Sequence, residues 1–157
     1  MYQKILVPLD GSKRAERILP HAESLATSHG ATVILLRVVQ MVIVGDGFKN
    51  IQYEESMAAS REALSEAELY LDEQADRLRK KGLKVEKITQ MGPVVETILD
   101  TAEKKNVDLI AMASHGRTGI SKVFYGSIAA GVIHRIDRPL LVVRSRKENF
   151  GASPQLE

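Results

Sequence analysis

The chain has 157 residues, no cysteine and a formal net charge of +2, with 44% hydrophobic and 27% charged residues. This length and composition predict one soluble globular domain with a full core. The lack of cysteine excludes disulfides, thiolate catalysis and cysteine–zinc sites, and the small net charge gives little support for nucleic-acid binding. Neither a bilayer-spanning apolar run nor a signal-peptide pattern is found, which favours a cytoplasmic protein without a membrane partner.

The first forty residues predict a strand, a helix and a second strand. Residues 5–9 are apolar and stop at an Asp-Gly-Ser turn. Ser12 of this turn is suited to cap a helix that ends at Gly30. Residues 31–39 are almost continuously apolar, which is typical of a strand that is covered on both faces of a sheet.

The middle of the chain predicts a long loop, a long helix and a further strand and helix. Residues 40–56 have mixed character and two glycines, which indicates a loop, and residues 57–81 have the periodicity of a helix packed on a sheet. Residues 83–89 predict a strand. The next helix, 94–105, has Pro93 suited to its first turn.

Three more elements complete the alternation: strand 107–113, helix 128–135 and strand 139–143. Because strands alternate with helices throughout, we expect a single-domain, Rossmann-like α/β fold with an open parallel five-stranded sheet and helices on both faces. Residues 1–145 would form this domain, followed by a mobile tail, 146–157. Ligands of such sheets bind at the carboxyl ends of the strands, where the winding reverses.

The loop between the fourth strand and the last helix is the strongest functional signal. It contains Gly116 and leads through Gly126 and Ser127 into the helix. Glycines let a backbone approach a ligand, and a helix N-terminus offers unpaired N–H groups to an anion. The loop matches neither the Walker A pattern nor G-x-G-x-x-G, so it predicts a phosphate site of another type.

Three segments, 4–12, 108–117 and 139–144, resemble the opening strand and turn, the fourth strand and loop, and the closing strand of universal stress proteins. The ATP-binding branch of that family carries Gly, two residues, Gly, nine residues and then Gly-Ser or Gly-Thr. Gly116 and the Gly126–Ser127 pair fit this spacing.

One position departs from the motif of that branch. Ala113 stands where the family pattern has its first glycine. Alanine is the smallest replacement, but it adds a methyl group where the backbone would approach the ribose.

The resemblance implies a role for each part of the predicted rim. Val38 would recognise adenine through its backbone, Asp10 would lie near the ribose or a phosphate-bound Mg²⁺, and Ser127 would bind phosphate. The implied nucleotide-binding residues are Pro8, Leu9, Asp10, Val38, Ala113, His115, Gly116, Arg117, Gly126, Ser127 and Ile128. ATP, or ADP or AMP, with Mg²⁺ is the implied ligand, and the family has sheet order 3-2-1-4-5 and dimerises through its last strand, here 139–144.

Several of these residues also have purely structural interpretations. Asp10 is suited to cap the turn before the first helix, and Ser127 to begin a helix without touching a ligand. His115 has no paired acid or nucleophile in the sequence, which favours a structural or ligand-lining role over catalysis. Arg117 and Lys122 are compatible either with phosphate contacts or with solvation of the loop.

Three classes of function fit these patterns. The first is an ATP-binding regulatory protein of the stress response, acting as a homodimeric switch or sensor with at most slow ATP hydrolysis and an unidentified client. The second is a stress adaptor that has lost nucleotide and works through protein contacts. The third, an adenylate-forming ligase, is disfavoured because the chain lacks a PP-type Ser-Gly-Gly loop and a His-x-Gly-His signature.

Overall fold

The computed structural model describes residues 1–45, 52–115 and 126–145. The strands are β1 (Lys4–Pro8), β2 (Thr32–Val39), β3 (Lys84–Met91), β4 (Leu109–His115) and β5 (Leu140–Ser145). The helices are α1 (Leu19–His29), α2 (Tyr53–Arg79), α3 (Val94–Lys104) and α4 (Ser127–Arg135). No helix in these ranges combines the length and apolarity needed to cross a bilayer. The predicted tail, 146–157, lies outside the described residues.

All four strand pairings are parallel, and the strand order is β3-β2-β1-β4-β5. The predicted sheet and its order are therefore confirmed. Consecutive residues of a strand point to opposite faces, so the apolar central strands feed two separate cores. Leu6 and Ile34 are fully buried beneath α3 and α4, whereas Ile5, Val7 and Leu35 are fully buried beneath α1 and α2.

The start of the long helix was predicted wrongly. Helix α2 begins at Tyr53, four residues before the predicted start at 57, so the predicted loop is shorter. The hydroxyls of Ser56 and Ser60 accept hydrogen bonds from the N–H groups of Val44 and Val42, at 2.9 and 3.0 Å. These bonds hold segment 41–45 against the first turns of α2, a tertiary contact that local pattern does not reveal.

The start of α1 and the position of Pro93 also differ from the prediction, whereas α3 begins at Val94 as predicted. Ser12 accepts a hydrogen bond from the Ala15 N–H at 3.1 Å, as a cap does, but a 3-10 turn (Ala15–Ile18) precedes the regular helix. Pro93 lies one residue before α3, in extended conformation, rather than in its first turn. Gly30 ends α1 in the left-handed conformation, as predicted.

The last three strands extend two residues beyond their predicted ends. They end at Met91, His115 and Ser145, because each of these residues is still paired with a neighbouring strand. Strand β4 also begins later than predicted, at Leu109 rather than at 107. The longer strands carry the backbone further towards the rim at which the site residues were predicted.

Helices α3 and α4 pack closely at Gly131. A Cβ atom at this position would lie 2.8 Å from Cγ2 of Val95. We expect Gly131→Val to lower the free energy of unfolding by about 2 kcal/mol, because the added side chain overpacks this contact. Urea unfolding measures the change, and the additional substitution Val95→Ala should recover part of the loss. Equal stability of Gly131→Val and the wild type would contradict the close packing.

Candidate functional site

The candidate site lies at the carboxyl ends of the central strands. From β1 the chain proceeds to β2 and β3 on one side, and β4 lies on the other side of β1. The winding therefore reverses between β1 and β4, which leaves a crevice beyond their carboxyl ends. Pro8 ends β1, and Leu9 continues its pairing by donating its N–H to the Leu36 carbonyl at 2.8 Å.

Asp10 begins a tight turn directly after β1. Its Oδ1 accepts a hydrogen bond from the Ser12 N–H at 2.8 Å, and the intervening Gly11 has φ +85°, which a side chain would strain. The predicted turn-capping interpretation of Asp10 is thus confirmed. The turn places an exposed carboxylate at the mouth of the crevice.

Val38 presents its backbone rather than its side chain to the crevice. The side chain is 6% exposed and belongs to the core beneath α3 and α4. The Leu36 carbonyl faces β1, since it binds the Leu9 N–H. Residues two apart in a strand direct their backbone groups to the same neighbouring strand, so the N–H and carbonyl of Val38 also face the β1 side. Strand β1 has already ended there, because its last paired residue is Pro8, opposite Leu36.

Arg37 lies beside the candidate site and was not predicted from the sequence. Its Nη1 donates to the Val38 carbonyl at 3.0 Å, and its Nε and Nη2 lie 3.9 Å from where a Cβ of Gly11 would be. The guanidinium thus brings a positive charge between the end of β2 and the turn after β1. One feature of the sequence could have indicated Arg37: it is the single charged residue in the apolar run 31–39. A strand that is covered on both faces does not need a charged residue for its own packing.

A polar cluster behind this turn connects it to α2. The Tyr70 hydroxyl donates to Glu16 Oε1 at 3.3 Å, and Lys13 forms an ion pair with Glu16 at 3.0 Å. Burial, the Glu16 carboxylate and Asp10 raise the pKa of Tyr70 well above its usual value, against a smaller opposite effect of Arg37. Tyr70 is therefore neutral at physiological pH and supports the turn as a hydrogen-bond donor.

The opposite wall of the crevice is provided by β4 and α4. Gly126 is the N-cap of α4, with φ −57° and ψ 158°, and its carbonyl accepts the Ala130 N–H at 2.9 Å. Ser127 and Ile128 form the exposed start of the helix, one residue earlier than predicted. Their N–H groups belong to the first turn, which has no intrahelical acceptors and carries the positive end of the helix dipole.

Ala113 lies in β4, paired with Val143 of β5 and partly buried. His115 is the last residue of β4. Gly116 and Arg117, which the sequence also placed in the site, lie outside the described residues, as does Lys122. In the part of the chain that the structure describes, no group of three metal-ligating side chains is arranged around a common point.

The parts of the site fit an adenine nucleotide chemically. A strand backbone offers a donor and an acceptor at one end, a glycine turn permits close approach in the middle, and a helix N-terminus offers N–H groups to phosphate at the other.

Comparison with known proteins identifies one family that matches nearly the whole chain. The model of the universal stress protein family matches residues 1–144. Universal stress protein MJ0577 of Methanocaldococcus jannaschii is 32% identical over 157 aligned positions, which cover 93% of this chain and 97% of that protein. A solved structure of MJ0577 has a TM-score of 0.78 to this fold, with 30% identity over 94% of this chain and 99% of the other.

Two more distant structures share the fold and contain adenine nucleotides. The universal stress protein of Archaeoglobus fulgidus in complex with dAMP has a TM-score of 0.58 and 24% identity, over 90% of this chain and 97% of that one. A universal stress protein in complex with cAMP has a TM-score of 0.61 and 22% identity, over 92% and 98% of the two chains. At these identities the likeness establishes the fold alone.

Proposed function

The chain belongs to the universal stress protein family, and from this premise we propose that it is an ATP-binding regulatory protein of the stress response, acting in the cytoplasm as a homodimeric switch or sensor. The observation that carries the proposal is that Val38 at the end of β2 and the N-terminus of α4 after β4 lie on either side of the point where the winding of the sheet reverses. ADP and AMP belong to the same ligand class, and the dAMP and cAMP complexes of proteins with this fold support that class.

Adenine recognition would rest on the backbone of Val38. The edge of adenine presents a ring nitrogen that accepts and an amino group that donates, which complements one N–H and one carbonyl. The Val38 carbonyl already accepts from Arg37, but a carbonyl oxygen has two lone pairs and accommodates both donors. Pro8 and Leu9 would line the crevice below the base.

Phosphate binding would rest on the start of α4. Gly126 leaves the N–H groups of the first turn accessible, and the Ser127 hydroxyl adds a donor. Mg²⁺ bound to the phosphates would offset their remaining charge, with Asp10 close to that ion or to the ribose. Ala113, His115, Gly116 and Arg117 complete the proposed set.

We expect hydrolysis to be slow at most. Fast phosphoryl transfer needs an oriented nucleophile and concentrated positive charge around the γ-phosphate. The sequence contains no Walker lysine motif, and the raised pKa of Tyr70 makes this hydroxyl unsuitable as a base. A turnover above roughly one per second, as in dedicated enzymes, would contradict a regulatory role.

The two edge strands of the sheet favour β5 as the dimer contact. Strand β3 carries exposed charges at Lys84, Glu86 and Lys87, which protect an edge from pairing. Strand β5 instead presents the apolar sequence Leu-Leu-Val-Val. A two-fold dimer through β5 would pair both copies of this edge at once.

The regulatory element would be the segment after β2. Val42 and Val44 are held on α2 by two serine hydroxyls, only a few residues beyond Val38. A ligand shifts such an element only through different affinities for its two states. We therefore expect nucleotide to change the hydrogen exchange of residues 40–56.

Acid extraction of one sample, followed by mass spectrometry, identifies any nucleotide that co-purifies with the protein. Calorimetry of a second, native sample then measures nucleotide binding directly. We expect ATP with Mg²⁺ to bind more tightly than GTP, because guanine reverses the donor and acceptor pattern that Val38 complements. Saturating ATP should slow hydrogen exchange in residues 40–56, and identical exchange would reject the switch. If neither ATP, ADP nor AMP binds at millimolar concentration, the adaptor alternative replaces the proposal.

A further inference from the structure

An exposed apolar surface lies where segment 41–45 packs against the start of α2. Met41 and Ile43 are each 59% exposed, Tyr53 is 75% exposed and Met57 is 48% exposed; we call these four residues the α2 patch. In the described ranges only three other large apolar side chains, Met1, Leu69 and Ile128, are comparably exposed. Tyr53 and Met57 lie one helical turn apart, and Met41 and Ile43 belong to the segment whose N–H groups bond to the same turns of α2. Exposed apolar side chains grouped in this way mark an interaction surface.

Two opposite charges flank this patch along the helix. A shallow groove on α2 is lined by Tyr53, Glu54, Met57 and Arg61, so the carboxylate and the guanidinium border the same apolar surface. They are seven residues apart, or about 10 Å along the axis, which is too far for an ion pair within one helix. Among the ion pairs of the described residues, neither takes part.

The positions of these charges are symmetric about the centre of the groove. Glu54 lies three residues before Met57, and Arg61 lies four residues after it. If a second α2 helix lies antiparallel on the first with Met57 near the two-fold axis, each Glu54 faces Arg61 of the second copy. Both charges are then paired twice, and the apolar side chains meet between them.

We propose that the α2 patch is a self-association surface, at which two copies of this chain pair their α2 helices antiparallel through Tyr53 and Met57, with reciprocal Glu54–Arg61 ion pairs. The occupant is a second copy because one helix carries both the apolar surface and its complementary charges. A contact of about three helical turns is smaller than the roughly 800 Å² per partner of standard interfaces. Association is therefore weak and salt-sensitive.

This surface is separate from the edge strand β5. Helix α2 packs on β2 and β3, which lie at the end of the strand order opposite to β5. Pairing through α2 and pairing through β5 thus use different surfaces, and a protein that makes both contacts forms species larger than a dimer. The inference does not depend on nucleotide binding.

Charge reversal tests the pairing by sedimentation equilibrium over a range of concentrations. Glu54→Arg alone and Arg61→Glu alone should each weaken the association at least about tenfold, because like charges then face each other. The double variant should regain it, as should an equimolar mixture of the two single variants. Glu66→Arg is the matched control, since 66 lies nine residues from 57 and about 180° around the helix. Wild-type association in both single variants, or none in the wild type at millimolar concentration, would overturn the proposal.

Crosslinking gives a second readout that is independent of charge. Because the chain has no cysteine, Met57→Cys introduces one thiol near the proposed two-fold axis. A short bismaleimide should link two copies of this variant efficiently and two copies of Glu66→Cys poorly. Equal crosslinking of the two variants would refute the antiparallel arrangement, even if the protein forms dimers through β5.

Discussion

Replacing Gly126 by valine is expected to lower the affinity for ATP about 100-fold, the largest effect of any single substitution in the site. Gly126 precedes the first helical residue of α4, where the backbone would lie against phosphate. A valine side chain there covers the N–H groups of the first turn and prevents their charge-assisted hydrogen bonds, each of which contributes about 1.5–3 kcal/mol. Calorimetry of the purified variant with ATP and Mg²⁺ measures the loss.

Valine can adopt the backbone conformation of Gly126, so the substitution changes the ligand contact without straining the backbone. The φ of −57° and ψ of 158° at this position are accessible to any residue. The hydrogen bond from the Ala130 N–H uses only the Gly126 carbonyl and is retained. The variant should therefore remain folded, with a small decrease in unfolding temperature because valine is a poorer N-cap residue than glycine. Ser127→Ala, which removes one hydroxyl and leaves the backbone donors, should lose only about tenfold in affinity. Equal ATP affinity of Gly126→Val and the wild type would remove the helix N-terminus from the site.

The architecture was predictable because it follows from periodicity. Alternating strands and helices require a parallel sheet with crossovers, and apolar runs such as 31–39 require cover on both faces. Both expectations hold, with Leu35 and Ile34 buried in different cores. The strand order was implied by family resemblance and is confirmed. The position of Asp10 in its turn was predictable too, since an Asp-Gly-Ser sequence favours that conformation locally.

Features that depend on tertiary contacts were not predictable. Residues 40–56 were predicted to be a loop because of their mixed character and two glycines, yet Ser56 is helical and its hydroxyl accepts a hydrogen bond from the Val44 N–H. Arg37 joins the site through a bond to Val38 and through closeness to Gly11, neither of which has a pattern along the chain. The roles given to Gly116 and Arg117 stay predictions, because these residues lie outside the described ranges.

In β5, the backbone groups that would pair with a second copy belong to different residues from those that pair with β4. The Pro139 carbonyl accepts the Ile110 N–H, so position 139 directs its backbone groups towards β4. These groups alternate along a parallel strand, so Leu141 and Val143 also face β4. The N–H of Val142 then points away from the sheet, towards the partner of the proposed dimer. Removing this donor costs no hydrogen bond within the protomer.

Val142→Pro is therefore expected to convert a dimer at tens of micromolar into a monomer while the fold persists. Proline removes the outward N–H and places its ring against an approaching strand, whereas an edge position tolerates it within the protomer. Light scattering reports the mass, and circular dichroism checks the fold. Leu141→Pro is the matched control: it removes an inward N–H, so it should lower the stability of the protomer itself. A folded Val142→Pro variant that remains dimeric, or a wild type that is monomeric at this concentration, would exclude β5 as the dimer contact.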